Sequence, residues 1–418
     1  MPSSGLPLAH FAGAHLSLLA ATAVLAWQPD LPGAFFLHPR MVALVHLLTL
    51  GWISGSILGA FYIVAPLALG IPLPARSGDW VACVAYWAGV AAAIGAFWRG
   101  DYLSVAHAAL LIVVGLGWVG TRVCRGLPSA PVPPAVALHV GLAFANLGVA
   151  AALGVLIGLA RSYGWAMGSP LSVAYAHLHL AVIGWALLLA VGLAYRLIPM
   201  ILPAHMPAGR TLAASAILIE LGVISLVVSW LTGQTRLLPF GAVCVVAGLG
   251  AFARLIRETV RRRLPRPPAL PVRDWSTWQS HAAMFWLVLA IVTGVALSLM
   301  PPGQLAVRLG WVYGAAGTLG FLAQFIVGMQ GRLVPLYAWY RAMAARGGRP
   351  PGRSAHALPD ARFARALFLL WTAAVPLLIA GLATSAPSLI RIGALVLACG
   401  ISVGWLYIVR MVRSAAET

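Results

Sequence analysis

Long apolar stretches constrain this chain more than any other feature of its sequence. A helix of about 20 apolar residues crosses the hydrocarbon core of a bilayer, and twelve stretches here reach roughly that length. Hydrophobic residues make up 61% of the 418 residues and charged residues only 8%, too few to cover a soluble protein of this size. The stretches also lack the apolar–polar alternation of membrane β-barrel strands. We therefore predict an all-α polytopic membrane protein with twelve transmembrane helices.

The loops between these stretches indicate the topology. The richest basic loops, 254–273 and 341–365, follow even-numbered spans, so the positive-inside rule places them and both termini in the cytoplasm. The net charge of +19 comes from arginines clustered in loops, and it therefore predicts a lipid bilayer rather than a nucleic acid as the partner. We interpret the first apolar stretch as a true span and not as a cleaved signal peptide. The predicted spans are 6–27, 41–69, 80–98, 103–123, 134–160, 172–202, 211–232, 236–257, 275–299, 306–337, 365–384 and 388–412.

One motif recurs in spans two, six and ten. In two copies a histidine is followed by Gly, Trp, Gly, Tyr and Pro at offsets of 5, 6, 13, 16 and 20 residues. The third copy keeps the glycines at offsets 5 and 13 and the proline at 20, but begins with alanine. We call this pattern the repeat motif. Its copies are His46, Gly51, Trp52, Gly59, Tyr62 and Pro66; His179, Gly184, Trp185, Gly192, Tyr195 and Pro199; and Ala315, Gly320, Gly328 and Pro335.

The spacing of the motif predicts a repeating unit of four helices within a single membrane domain. The units are about 1–130, 131–262 and 263–418. His10, His139 and His281, each near the start of a unit's first span, precede the first position of the motif by 36, 40 and 34 residues. We expect three quasi-repeated four-helix arcs around a pseudo-threefold axis. Such repeats are common in membrane proteins and do not identify a function.

Eight histidines lie in or at the edge of the predicted spans. Polar side chains are unfavourable in lipid, so these are expected to face the protein interior, either as interhelical hydrogen bonds or as functional groups. Neutral imidazole is the commonest metal ligand, and haem is buried among apolar side chains. Haem or a transition metal therefore fits their number and setting. The eight are His10, His15, His46, His107, His139, His177, His179 and His281.

The spacing of neighbouring histidines limits which of them can share a centre. His177 and His179 are two residues apart, so on a helix they point about 200° away from each other. They predict either two sites or one site and one structural histidine. His10 and His15 are about 140° apart and should also face different neighbours. As candidate metal ligands we take His15 together with His46, His177 and His179, although no copper electron-transfer signature is visible.

Other polar residues in the spans have two interpretations each. Glu220, the one acidic residue in the middle of a span, is either a protonated, hydrogen-bonded carboxyl or a proton relay or metal partner. Arg196 and Arg332 either extend to lipid phosphates or pair with haem propionates. Tyr313, at the motif position of His177, either packs against neighbouring helices or bonds the edge of a cofactor. The sequence leaves these alternatives open.

The segment His177-Leu-His179-Leu-Ala-Val-Ile-Gly184 resembles the His-x-His helix of haem–copper oxidase subunit I, especially in the nitric oxide reductase branch. The repeat motif is also similar to NnrS, a twelve-span membrane family that contains haem and copper. The resemblance implies twelve spans in three arcs, one or two b-type haems held by histidine, and copper as an open option. His46, His177 and His179 match best as ligands, with His10, His139 and His281 as further candidates.

The resemblance also implies a function. It predicts a redox protein of a bacterial cytoplasmic membrane, acting on or responding to nitric oxide or oxygen, with a separate electron donor. Oxidases carry the His-x-His pair on span ten and further copper-binding histidines on span seven. Here the pair lies on span six, and residues 211–232 contain no histidine, so the likeness does not extend to the usual copper site.

Two other functions remain open at this stage. A proton or metal-ion transporter or channel could use the same three-arc scaffold, with histidines lining its path and Glu220 taking part. A haem-binding assembly or protective protein without turnover is the third. Whether the chain is an enzyme, and which residues would be catalytic, is not predicted by the motif.

Overall fold

The computed structural model describes residues 4–33, 35–207, 209, 211–265 and 274–417. These residues contain helices and no strand, and twelve of the helices are long and apolar enough to cross a membrane. The predicted fold class is thereby confirmed, whereas the three-arc arrangement and the membrane orientation stay predictions. Residues 266–273 of the predicted basic loop lie outside the described residues. The helices are α1 (Leu6–Trp27), α2 (Pro39–Leu69), α3 (Ser77–Arg99), α4 (Tyr102–Ser129), α5 (Pro134–Tyr163), α6 (Pro170–Ile201), α7 (Thr211–Thr232), α8 (Leu237–Arg261), α9 (Trp275–Leu299), α10 (Gln304–Ala345), α11 (Ala361–Thr384) and α12 (Pro387–Glu417).

Short polar signals set several helix ends. Asp101, Asp274 and Asp360 each stand immediately before a helix, and the carboxylate accepts a hydrogen bond from a backbone N–H of the first turn at 3.1, 3.0 and 2.9 Å. Such caps satisfy donors that have no partner within the helix. Gly70 and Gly164 end α2 and α5 in the left-handed conformation, with φ of 68° and 71°. Glycine adopts this conformation without steric penalty.

The chain divides into two compact units by its contacts. The first unit comprises residues 1–63, 74–76 and 268–418. Within it α1 packs on α12, α11 packs on α12, and α9 runs along α10. Helices distant in sequence therefore form one cluster, because α1 and most of α2 join the last four helices.

The second unit comprises residues 64–73 and 77–267. Its helices pack mainly on their neighbours in sequence: α3 on α4, α4 on α5, α5 on α6, and α7 on α8. In addition α7 contacts both α5 and α6. This second set of contacts brings polar side chains of three helices together.

All three motif helices contain a π-helical segment in the same place. The segments are Leu47–Ser54, Leu180–Leu187 and Ala316–Ala323, and each begins directly after the first position of the repeat motif. Segments of π-helix are rare in proteins and are frequent at functional sites. In the first unit two of them touch, and the Trp52 indole donates a hydrogen bond of 3.4 Å to the Ala323 carbonyl. The common register extends the likeness of the three copies from sequence to backbone geometry.

Apolar side chains cover outward faces of the helices. On α9, Phe285, Val288 and Val292 are 63, 59 and 59% exposed and follow one another at helical spacing. An exposed apolar stripe of this kind is unfavourable in water and favourable in contact with lipid. The outer surface is consistent with a multi-pass membrane protein.

Candidate functional site

Four span histidines share one side-chain geometry. In each, Nδ1 lies 2.7–2.8 Å from the backbone carbonyl four residues earlier. A carbonyl oxygen only accepts, so Nδ1–H donates, and in the neutral ring Nε2 keeps its lone pair. This arrangement fixes the tautomer, with the proton on Nδ1 and the lone pair on Nε2, at the far edge of the ring. The four are His15, His46, His139 and His179.

The histidine pair of α6 is divided between two environments. His177 Nδ1 lies 3.0 Å from the carbonyl of Ala150 on α5, whereas His179 Nδ1 bonds the carbonyl of Tyr175 in its own helix. The two rings therefore have different hydrogen-bond partners. His177 makes an interhelical hydrogen bond, whereas His179 bonds a carbonyl of its own helix.

His139 is held in a buried polar cluster of the second unit. Its Nε2 lies 2.9 Å from Ser215 Oγ, and the Tyr195 hydroxyl lies 3.0 Å from the same oxygen. Ser215 Oγ is also 2.9 Å from the Leu212 carbonyl. All three side chains are at most 1% exposed. The Nε2 of His139 is thus already occupied, and at this histidine the geometry favours the interhelical interpretation. We call His139, Tyr195 and Ser215 the serine cluster.

The second glycine of the repeat motif explains why His10 and His139 lie where they do. A Cβ on Gly192 would lie 2.4 Å from His139 Cβ, and a Cβ on Gly59 would lie 2.9 Å from His10 Cβ. The absence of a side chain lets the two helices approach at each histidine. The His10 ring then stacks near Tyr62, the tyrosine of its own motif copy, with ring centres 6.2 Å apart.

The corresponding place in the third copy is taken by a serine. A Cβ on Gly328 would lie 2.6 Å from Ser280 Oγ, so Ser280 and not His281 faces the motif glycine. His281 lies one residue further on and is exposed, with its ring edge-on to Trp278 at 5.8 Å. His107 is exposed as well. The packing therefore separates these two from the histidines that face helices.

Glu220 has a protein partner in the second unit. Asn146 Nδ2 donates to Glu220 Oε2 at 2.6 Å and also to the Leu142 carbonyl at 3.1 Å. In the described residues, no group of three or more His, Cys, Asp or Glu side chains is arranged to hold a metal ion. Glu220 is thus hydrogen-bonded, as one of its two interpretations requires, and a proton relay stays a prediction.

The two arginines of the motif helices also bond protein groups. Arg196 Nε donates to the Ala68 carbonyl at 2.7 Å, and Arg332 pairs with Asp274 and donates to Thr277 Oγ1 at 2.9 Å. Both arginines therefore have protein partners, and neither needs a haem propionate to account for its position. Tyr313 packs on α9, where a Cβ on Gly294 would lie 2.8 Å from its ring.

A cavity in the first unit brings the candidate ligand His15 together with polar residues that are not part of the repeat motif. Its walls include His15, Ser276, Gln279, Gln330 and Tyr407, which come from four of the unit's helices. Its volume is about 20 Å³, enough for one or two water molecules. A flat macrocycle needs a site of roughly 300 Å³ or more, and the cavity's described walls do not include His46, His177 or His179. Two glutamines inside apolar spans were the signal available in the sequence.

No known protein-family model matches the chain, and no curated protein matches it. The likeness to haem–copper oxidases and NnrS therefore remains an expectation from the motif. The functional interpretation depends on the histidines themselves.

Proposed function

We propose that this chain is a haem-binding integral membrane protein of redox or gas-ligand function, in which His46 of the first unit and His179 of the second unit would each act as a haem ligand. The observation that carries the proposal is their shared geometry. Each opens its copy of the repeat motif, each donates Nδ1–H to the carbonyl four residues earlier, and each is followed directly by a π-helical segment. These features supply a neutral imidazole with a fixed ring and a defined tautomer, with the proton on Nδ1.

The donor set fits b-type haem better than it fits a bare metal ion. Haem needs only one or two protein nitrogens, because the porphyrin supplies the other four ligands. The absence of a cluster of three ligating side chains in the described residues is therefore compatible with haem. When bound, haem supplies one-electron chemistry and binding of small gases such as nitric oxide or oxygen. The chain's own part is to hold the imidazoles and surround them with apolar side chains, and a separate donor would deliver electrons.

Absorption spectra of the purified full-length protein test this proposal. We expect a Soret band and, after reduction, an α band in the wild type. His46→Ala and His179→Ala should each remove or shift these bands, because each would lose a proposed haem ligand. His107→Ala is the matched control, since His107 is exposed and its loss should leave the spectrum unchanged.

Two results would contradict the proposal at different levels. Colourless wild-type protein from haem-supplemented cells would exclude haem as the cofactor. Unchanged bands in both variants would retain haem but overturn the ligand assignment, and would direct attention to His10, His139 and His281. Addition of carbon monoxide or nitric oxide to the reduced protein then tests for an open iron position.

A proton or metal-ion transporter is the second candidate function. The hydrogen-bonded Glu220 favours it, because an ionisable group inside a membrane bundle frequently marks an ion path. Ion flux in proteoliposomes, measured with colourless protein, would support this candidate over haem chemistry. Glu220→Gln, which keeps the shape of the side chain, should then slow that flux.

A further inference from the structure

Two buried glutamines of the first unit have amide atoms that no group of the described residues bonds. Gln279 on α9 is 2% exposed and Gln330 on α10 is 7% exposed. Among the described residues no group bonds either amide atom of Gln279 or Nε2 of Gln330. Leaving one buried polar group without a hydrogen bond costs about 1–3 kcal/mol. Two such side chains in one place indicate that something besides the protein bonds them.

Both glutamines line the cavity of about 20 Å³ that also contains His15. Trp371 forms another part of the wall, and its indole Nε1 is likewise unbonded among the described groups. His15 donates Nδ1–H to the Phe11 carbonyl at 2.7 Å, which leaves Nε2 as an acceptor. The cavity therefore offers amide and indole donors as well as amide and imidazole acceptors within one small space.

The charge of the residues that line the cavity limits which kind of ligand can bind there. None of the described residues that line the cavity is Asp, Glu or Arg. An ion placed there would be desolvated without an opposite charge, which is strongly unfavourable. A neutral molecule that both donates and accepts hydrogen bonds fits the walls, and the volume admits one or two water-sized molecules.

Three glycines among the lining residues explain why the space exists. Gly400 and Gly404 form the α12 side of the cavity, and Gly331 forms part of the α10 side. Gly331 stands at offset 16 of the repeat motif, where the other two copies have Tyr62 and Tyr195. The cavity thus lies where the third copy has no aromatic ring.

We propose that this cavity is a hydration site inside the membrane helices, in which Gln279, Gln330 and His15 hold one or two ordered water molecules. The site is separate from the proposed haem ligands and does not depend on them. Water can donate hydrogen bonds to the amide oxygens and accept them from the amide nitrogens. Each buried water molecule makes two to four hydrogen bonds with polar partners.

Radiolytic hydroxyl labelling of the full-length protein in nanodiscs, read by mass spectrometry, tests the proposal. Hydroxyl radicals form from water at the site, so buried side chains beside trapped water are oxidised although bulk solvent does not reach them. Trp371 and Met411 line the cavity and are 0 and 1% exposed. We expect both to be oxidised several-fold faster than Trp185, which is 1% exposed and lies outside the cavity walls. Equal rates at Trp371 and Trp185 would overturn the proposal.

A double variant tests the role of the glutamines. Gln279→Met with Gln330→Met keeps the side-chain length but removes the hydrogen-bonding groups, so oxidation of Trp371 and Met411 should fall to the rate of Trp185. Persistent fast oxidation in the folded double variant would show that the glutamines do not hold the water, against the proposal. If that variant does not fold, Gly331→Ala provides the same test by narrowing the cavity beside Ser276, and unchanged oxidation would again contradict it.

Discussion

The serine cluster of the second unit and the glutamine cavity of the first unit lie beside equivalent parts of the repeat motif but solve the problem of buried polarity differently. In the second unit Tyr195 reaches Ser215, and His139 bonds the same hydroxyl, so each polar group has a protein partner. In the first unit Gly331 replaces the tyrosine, and an open space remains beside Gln330. One helical framework therefore supports a closed structural cluster in one copy and an open polar cavity in another. A motif position by itself does not identify a functional site.

The largest expected difference between the two regions concerns their motif glycines. In Gly192→Ala the new Cβ would lie 2.4 Å from His139 Cβ, an atom that no side-chain rotation can move away. We expect α5 and α6 to separate and the free energy of unfolding to fall by about 3 kcal/mol, the upper part of the range for overpacked cores. In Gly331→Ala the closest atom is Ser276 Oγ at 2.2 Å, which can rotate into the cavity. The free energy of unfolding of Gly331→Ala should therefore fall by less than about 1 kcal/mol.

Reversible unfolding in mixed detergent micelles measures the free energy of unfolding of both variants. Equal losses in Gly192→Ala and Gly331→Ala would contradict the contrast between a closed and an open region. A larger loss in Gly331→Ala would reverse it.

The next effect separates polar groups bonded to protein from polar groups that we propose are bonded to water. Ser215→Ala leaves His139 Nε2 and the Tyr195 hydroxyl without their shared partner, and we expect a loss of about 1–3 kcal/mol in the free energy of unfolding. The matched change in the first unit, Gln279→Met, removes amide groups that no described protein group bonds. We expect this change to leave the free energy of unfolding almost unaltered. The same unfolding measurement applies, and a Gln279→Met loss as large as that of Ser215→Ala would mean that Gln279 makes a strong bond.

The sequence predicted the architecture well because the bilayer imposes a simple rule on it. All twelve predicted spans correspond to helices long enough to cross a membrane, with ends that differ by a few residues in most cases. Length and hydropathy suffice for this, because every backbone group in lipid must be bonded within a helix. The π-helical segments were not predicted, since hydropathy is the same for both kinds of helix.

The candidate site was predictable only in part. The positions of His46 and His179 follow from the motif, but the bonds of their Nδ1 atoms depend on side-chain rotamers that spacing does not determine. The cavity was missed for another reason. Its walls join α1 with α9 and α10, so His15 lies beside residues more than 250 positions away in sequence, and no local pattern links it with Gln279 or Gln330.

The smallest expected effect resolves how the serine cluster is held together. Tyr195→Phe removes one hydroxyl, whose hydrogen bond to Ser215 should contribute about 1 kcal/mol to the free energy of unfolding. In the double variant with Ser215→Ala the same change should cost almost nothing, because its partner is already gone. The difference between the two values is the coupling of the pair, and residues in contact commonly show about 0.5–3 kcal/mol. Additive losses would mean that the Tyr195 hydroxyl does not depend on Ser215. The serine cluster would then be held together by packing and not by these hydrogen bonds.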